Sequence, residues 1–350
     1  MSSAADANAS KIPVANLLRI AFYAGDHLDE LEDCEASRDD GSTFEEILQA
    51  VLSRAAERIR RRGFERGYAT ELELTARPRG RLLLAQSIAA CAIPTRRLVC
   101  QYDEFGVDTP HNRVLKACAR SLARCDASKD HQDCLLALVR EMHGVSNIEL
   151  SRRVLRELPR SPATRRFRVV RFIAKLLVDS GQPDERIGEE WARRLNPNTN
   201  RMRRVFEKFV LRFAKAHAPA EHTVRAQQFH WSGGRQRDIP GLHTDVTVLR
   251  PGHTRIIECK YTDKILVPGR HGRTTYPPGH LFQLFGYLSR AHTHYGERSR
   301  VDGVLLYPAG GDPSEVSITL GGFPCKVVQL GLAEPWSALT ARLRVIAFAG

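Results

Sequence analysis

The 350-residue sequence contains no Gly-Lys-Ser/Thr run. It therefore lacks a Walker loop, whose backbone amides would cradle nucleotide phosphates. No nucleotide cofactor is expected on this chain, and nucleotide-driven work falls to a partner. The eight cysteines, Cys34, Cys91, Cys100, Cys118, Cys125, Cys134, Cys259 and Cys325, include no Cys-x-x-Cys pair, which argues against a zinc ribbon. They are expected as reduced thiols, several on apolar faces. The opening Met1–Lys11 has neither the basic end nor the apolar stretch of a signal peptide. The longest apolar region, Leu82–Ile93, is broken by Gln86 and Ser87 and is too short to cross a bilayer. A cytoplasmic protein with no membrane partner is expected. Lysine is scarce: nine residues among 53 Lys and Arg.

Arginine and net positive charge are abundant. Against 40 Asp and Glu the formal charge is +13, which favours a polyanionic partner. The charge is uneven. The first 50 residues hold eleven acids and three bases, so the remainder is more basic than the whole. The acidic stretch Asp26–Asp40 reads as a solvated loop. With 42% hydrophobic and 27% charged residues, the composition is that of a folded chain long enough for two domains.

Apolar residues at helical spacing predict helices over Ile12–Ala24, Thr43–Arg62, His111–Arg124, Asp133–Met142, 201–217 and His280–Ala291. Short strands are expected within 64–84 and over Thr223–Trp231, Thr244–Leu249, Arg255–Tyr261, Val301–Tyr307, Val316–Thr319 and Lys326–Leu330. This is a mixed α/β pattern. The segment 151–175 carries Arg152, Arg153, Arg156, Arg160, Arg165, Arg166, Arg168, Arg171 and Lys175, with Pro159 and Pro162 interrupting it. It reads as the junction between domains at 1–155 and 156–350. It is either a phosphate-contacting element or a solvated basic face.

One constellation carries chemistry. Lys260 alone among the lysines has an acid two positions before it, Glu258, at the end of the apolar run Ile256-Ile257. Strand alternation puts Glu258 and Lys260 on one face and Cys259 on the other, toward the core. Asp245 opens the preceding strand, and hairpin pairing would bring it beside Glu258. Two carboxylates, with the Cys259 carbonyl as a third ligand, suit Mg²⁺ or Mn²⁺. Lys260 would hold water or stabilise charge on a phosphoryl transition state. The alternative is a surface salt-bridge ladder, because about one such triplet is expected by chance in this composition.

The same residues resemble the PD-(D/E)xK nuclease superfamily and, more narrowly, the McrC family of McrBC-type modification-dependent restriction systems. The likeness runs through Ile12-Pro13-Val14-Ala15-Asn16-Leu17-Leu18 and Ala21–Ala24, and then Arg62-Gly63-Phe64, Arg66-Gly67-Tyr68 and Arg79-Gly80-Arg81. It continues in Cys100–Phe105 and His111-Asn112-Arg113-Val114-Leu115-Lys116. It ends in Thr244-Asp245, Glu258-Cys259-Lys260-Tyr261 and Gln283-Leu284-Phe285-Gly286-Tyr287. Thr244 stands where the family usually has proline.

The resemblance implies a C-terminal restriction-endonuclease-like core behind an α+β N-terminal partner-binding domain. Asp245 and Glu258 would ligate the metal, Lys260 would assist catalysis, and Gln283 would orient Lys260 or a phosphate. Glu207 is a further candidate carboxylate, set against the plainer reading of an exposed residue beside Lys208. Lys264, Arg270 and Arg273, with His271, lie in a loop that could grip DNA backbone. Tyr261 and Tyr287 read as core or wall, and His243 as an ordinary strand residue.

The family further implies an McrB-like AAA+ GTPase ring as partner, with methylcytosine-containing DNA as substrate and two nuclease domains meeting to cut both strands. Rival functions are a non-catalytic activator of an AAA+ partner, a standalone RecB-like repair nuclease, and a basic DNA-binding module.

Overall fold

The computed structural model describes residues 12–27, 30, 31, 34, 39–90, 93–125, 127–180, 191, 199–231, 240–262, 265–269, 273–296 and 299–349. The chain forms two compact units, one from residues 1–47 with 188–350 and one from residues 48–187. The units are thus not the sequential halves on either side of residue 155. The N-terminal segment belongs with the C-terminal part, and 156–187 belongs with the middle.

Helix α1 (Val14–Gly25) explains the first departure. It buries Leu17, Leu18, Ile20, Ala21 and Phe22. The Tyr23 ring lies 5.5 Å from Phe209, 5.6 Å from Phe213 and 5.9 Å from Trp336, centroid to centroid. Asn16 Nδ2 donates to the carbonyls of Leu332 and Glu334, each at 2.9 Å. These partners are about 190 to 320 positions away, and no local pattern announces them.

Residues 48–187 contain most of α2 (Phe44–Arg61), whose apolar stripe Ile47, Leu48, Val51, Leu52, Ala55 and Ile59 is buried. A three-stranded antiparallel sheet follows, made of β1 (Gly67–Thr75), β2 (Arg81–Leu82) and β3 (Leu98–Gly106) in the order β1-β3-β2. The short helix α3 (Leu84–Ala89) lies between β2 and β3. Gly80, before β2, has φ +65°, and a Cβ there would lie 2.3 Å from the Gln101 carbonyl oxygen, so only glycine fits. Helices α4 (Pro110–Leu122), α5 (Lys129–Glu141), α6 (Arg152–Glu157) and α7 (Arg168–Ser180) complete the unit. Helix α7 buries Val169, Val170, Ile173, Ala174, Leu176 and Leu177. The basic segment expected as a junction is therefore partly interior, its arginines outside an apolar stripe.

In the other unit, α8 (Thr199–Ala216) precedes β4 (Thr223–Arg225) and the paired strands β5 (Gln228–Phe229) and β6 (Leu242–His243). Strands β7 (Val246–Arg250) and β8 (His253–Cys259) form a hairpin. The small pair β9 (Val267–Pro268) and β10 (Thr274–Thr275) leads to α9 (Pro278–Tyr295), then to β11 (Arg300–Ala309), β12 (Ser314–Leu320), β13 (Phe323–Gly331) and α10 (Trp336–Phe348). The main sheet is mixed, in the order β12-β13-β11-β8-β7-β4. β8 is antiparallel to β7 and parallel to β11. A parallel neighbour requires a crossover, and α9 supplies it. Leu284, Tyr287, Leu288 and Ala291 of α9 pack with Ile256 and Leu305 of the sheet. Every residue of β8 is buried, as expected of a central strand flanked by helices.

At the start of β8 a charged group is buried with its partners. Arg255 Nε and Nη2 each donate to Asp302 at 2.8 Å, and its Nη1 donates to the Ile346 carbonyl at 3.0 Å. Among the described residues, Cys34, Cys100, Cys118, Cys125, Cys134, Cys259 and Cys325 are free thiols, and no helix is long and apolar enough to cross a membrane.

Candidate active site

The hairpin register pairs Val246 with Ile257, so Asp245, one residue before β7, stands beside Glu258. Its Oδ2 accepts a hydrogen bond from the Cys259 amide at 2.8 Å. The Lys260 amide donates to the Leu306 carbonyl at 2.8 Å, extending the pairing of β8 with β11 one residue beyond the strand. Lys260 Nζ then donates to Glu258 Oε1 and to Gln283 Oε1, both at 2.7 Å. Gln283 projects from α9, and its Nε2 donates at 2.7 Å to the hydroxyl of Tyr287, one turn along. Asp245, Glu258, Lys260 and Gln283 thus form one connected cluster at the C-terminal end of the central strand.

The electrostatics are those of negative charge held out of water. Burial, reinforced by the negative charge of Asp245, pushes the Glu258 carboxyl up to about 8, against the opposing pull of Lys260. Burial also raises Asp245, opposed by the Cys259 amide and by Lys260. Glu258 is only 2% exposed, and its Oε2 is buried with no hydrogen-bond partner. A buried carboxylate oxygen with no protein donor, beside a second carboxylate, is a position a cation could occupy, and both donors are hard oxygens. Among the described residues no three His, Cys, Asp or Glu side chains gather as a ligand set. A divalent ion here would rely on two carboxylates, main-chain oxygen and water, which suits Mg²⁺, an ion that retains several waters.

Glu207, on α8, is half-buried rather than exposed beside Lys208. Burial first, and then the charge of Asp245, raises its carboxyl, so α8 brings a third acid toward the pair. Arg203 and Arg204, one turn earlier, oppose that rise. Cys259 turns its thiol into the core, where burial holds it well above its ordinary value, so only its main chain reaches the site. Tyr287 is buried, and burial lifts its hydroxyl to about 12. Tyr261 packs edge-on to Phe206 at 6.4 Å, and His243 is exposed in β6. Lys264, Arg270 and His271 lie outside the described residues. Arg273 is exposed, its carbonyl accepting from the Gly269 amide at 2.7 Å.

Two residues not foreseen from the sequence join the site. Leu306 pairs with Cys259, so Tyr307 is the β11 neighbour of Lys260 on the same face. Its hydroxyl lies 2.8 Å from His280 Nδ1. His280 is one turn before Gln283 on α9. Burial first and the charge of Lys260 second lower its pKa, so the imidazole is neutral at neutral pH. The Tyr307 hydroxyl is buried and has no other hydrogen-bond partner among the described residues. It therefore donates to Nδ1 and leaves Nε2–H as the free donor. The signal in the sequence was the i, i+3 spacing from Gln283.

The family model of the McrBC 5-methylcytosine restriction system component matches residues 8–308, a span that includes every residue of this cluster. The chain belongs to the McrBC family. A curated relative, the type IV methyl-directed restriction enzyme EcoKMcrBC of Escherichia coli strain K12, is 24% identical over 338 residues, covering 95% of this chain and 96% of the relative. Among solved structures, the half-complex of a tetradecameric assembly of Thermococcus gammatolerans McrB AAA+ hexamers with bound McrC aligns at TM-score 0.48 and 16% identity. That alignment covers 95% of this chain and 74% of the other. The cryo-EM structure of the T. gammatolerans McrBC complex aligns at TM-score 0.36 and 20% identity, over 54% and 59% of the two chains. Membership of the McrBC family makes the chain a restriction-system component built on a mixed α/β fold.

Proposed function

We propose that the chain is the nuclease subunit of an McrBC-type restriction system. In this reading it is a metal-dependent endonuclease that cuts DNA carrying methylated cytosine, driven by an AAA+ GTPase ring whose hydrolysis it stimulates. The carrying observation is the cluster of Asp245, Glu258 and Lys260 at the ends of two paired strands, with Gln283 of α9 hydrogen-bonded to Lys260. Family membership and the methyl-directed E. coli relative support the restriction context.

Asp245 and Glu258, with the Cys259 carbonyl and water, would hold Mg²⁺ or Mn²⁺. When bound, the ion supplies Lewis-acid polarisation of a phosphoryl oxygen and acidifies a water. Lys260, hydrogen-bonded to Glu258 and Gln283, is placed to stabilise negative charge that grows on the phosphoryl oxygens. Gln283 fixes the direction of the Lys260 ammonium, and Tyr287 fixes Gln283. His280 offers Nε2–H as a neutral donor to a phosphate oxygen. Glu207 adds negative charge at the α8 side, and Arg203 and Arg204 balance it. One such site cuts one strand, so a double-strand break requires a second copy or a second event.

The test is cleavage of methylated and unmethylated plasmid in Mg²⁺, by the chain alone and with its AAA+ partner and GTP. Cutting confined to methylated DNA with partner and GTP is the expected result. Efficient cutting without partner would instead fit a standalone nuclease, and GTPase stimulation without cutting would fit an activator scaffold.

A further inference from the structure

We propose that an arginine surface on the 48–187 unit, made of residues other than those of the carboxylate site, binds the phosphate backbone of duplex DNA. The surface comes from two segments distant in sequence. One follows α2 and carries Arg62 and Arg66. The other joins α6 to α7 and carries Arg160 and Arg165. All four side chains are exposed, and none has an ion pair or a side-chain hydrogen bond among the described residues.

Two staples hold the segments together. Arg166 Nη1 donates to the Gly63 carbonyl at 3.0 Å. His111, itself buried, lies between them, with Nδ1 3.1 Å from Glu65 Oε2 and Nε2 3.1 Å from the Pro159 carbonyl. Arg62 and Arg66 flank the first segment's staple points, Gly63 and Glu65. Arg160 and Arg165 adjoin the second segment's, Pro159 and Arg166. The four charges therefore share one surface.

The acids nearby are already engaged. Glu65 accepts from Thr109 Oγ1 at 2.6 Å as well as meeting His111. Asp108 takes two bonds from Arg113, each at 2.8 Å, and others from Ser146. Glu157 pairs with Arg153 at 2.9 Å. Beside Arg66 the surface dips into a recess of about 340 Å³ lined also by Tyr68, Asp108, His111, Arg113 and Pro159. Its two carboxylates are Glu65, hydrogen-bonded to Thr109 and His111, and Asp108, whose charge Arg113 offsets. Like charge accumulates instead: the charge of Arg160, after burial, lowers the pKa of Arg171. A dense polyanion relieves such crowding, and duplex DNA presents about one charge per 1.7 Å of axis. Arginine matches phosphate with paired N–H donors.

This inference takes from the proposed function only the identity of the polyanion, and its test needs no cleavage. Binding of a fluorescein-labelled 30-base-pair duplex to the full chain is followed by anisotropy in EDTA across a salt series. The comparison is between wild type, Arg62→Ala/Arg66→Ala, Arg160→Ala/Arg165→Ala, the quadruple variant, and a control Arg54→Ala/Arg124→Ala/Arg140→Ala on the same unit. The thermal midpoint of each confirms folding. Each phosphate contact contributes about 0.9 to the slope of log K on log salt. The quadruple variant should therefore lose about 3 to 4 in slope and at least about tenfold in affinity, with each pair giving about half and the control little. Unchanged slopes in both pairs and the quadruple would overturn the proposal, and so would an equal loss in the control. Loss of AAA+ partner binding with duplex binding intact would also overturn it, making the surface a protein interface. A chain that binds duplex through these arginines yet never cuts would leave the surface standing and sink the nuclease reading.

Discussion

Asp245 Oδ2 accepts the Cys259 amide at 2.8 Å, and this one bond locks the first carboxylate to the strand that carries the second. Its neighbours in the ladder set Glu258 and Lys260 on the same face. The site is thus built by the hairpin itself, with α9 adding Gln283 from the side. Several consequences can be measured.

Gln283→Leu should lower cleavage about tenfold or more, because Lys260 loses the acceptor that orients it. Tyr287→Phe should cost less, since Gln283 keeps its bond to Lys260. Single-turnover rates on methylated plasmid with partner and GTP give the comparison. Equal rates for wild type and Gln283→Leu would remove Gln283 from the mechanism.

His280→Ala should reduce cleavage with little change in fold, and Tyr307→Phe should reproduce part of that loss. The phenylalanine variant no longer fixes the tautomer of His280, so its defect should be smaller. A loss of each side chain's hydrogen bond corresponds to about 1 kcal/mol, or roughly fivefold in rate. A Tyr307→Phe defect exceeding that of His280→Ala would contradict the order of action.

Mg²⁺ should raise the thermal midpoint of the wild-type chain, by about 1.4 kcal/mol of stability at tenfold excess over its dissociation constant. Asp245→Asn and Glu258→Gln should each abolish the increment. Differential scanning fluorimetry in EDTA and in Mg²⁺ reads it directly. An increment that survives both substitutions places the ion elsewhere.

Acid should weaken the fold through Asp302. Its carboxyl lies below the usual range because Arg255 and His253 hold it against the opposing effect of burial. A lowered pKa in the folded state gives stability that is present above the unfolded value near 4 and lost as pH falls through the folded one. Asp302→Asn strips the charge opposite buried Arg255 and should cost about 3 kcal/mol at neutral pH. The variant should also flatten the decline between pH 5 and 3, measured by urea unfolding. A decline as steep in the variant as in the wild type would assign the acid sensitivity to other groups.

Much of this was legible before the structure. Helix α2 follows from Phe44, Ile47, Leu48, Val51, Leu52, Ala55 and Ile59 at one spacing, and β8 from Ile256-Ile257 running into Glu258. The pairing of Asp245 with Glu258 followed from strand alternation and a hairpin turn. Other features depend on contacts between distant residues. Nothing near Asn16 or Tyr23 signals that α1 packs against α8 and Trp336, so the unit boundaries were hidden. In 151–175 the arginines drew attention from Val169, Val170 and Ile173, whose helical spacing marks α7. Helix α10 escaped because its buried Leu339, Leu343 and Ile346 alternate with exposed Val345 and several small residues. The half-burial of Glu207 depends on how α8 meets the sheet, and its sequence neighbours do not reveal it.

The most direct test separates cutting from partner activation with Lys260→Ala. Double-strand cleavage of methylated plasmid and GTP hydrolysis by the AAA+ partner are measured in the same reactions, with wild type and variant. The account predicts that cleavage falls at least a hundredfold while stimulation of GTP hydrolysis stays at the wild-type level. Cleavage by Lys260→Ala at the wild-type rate would contradict it.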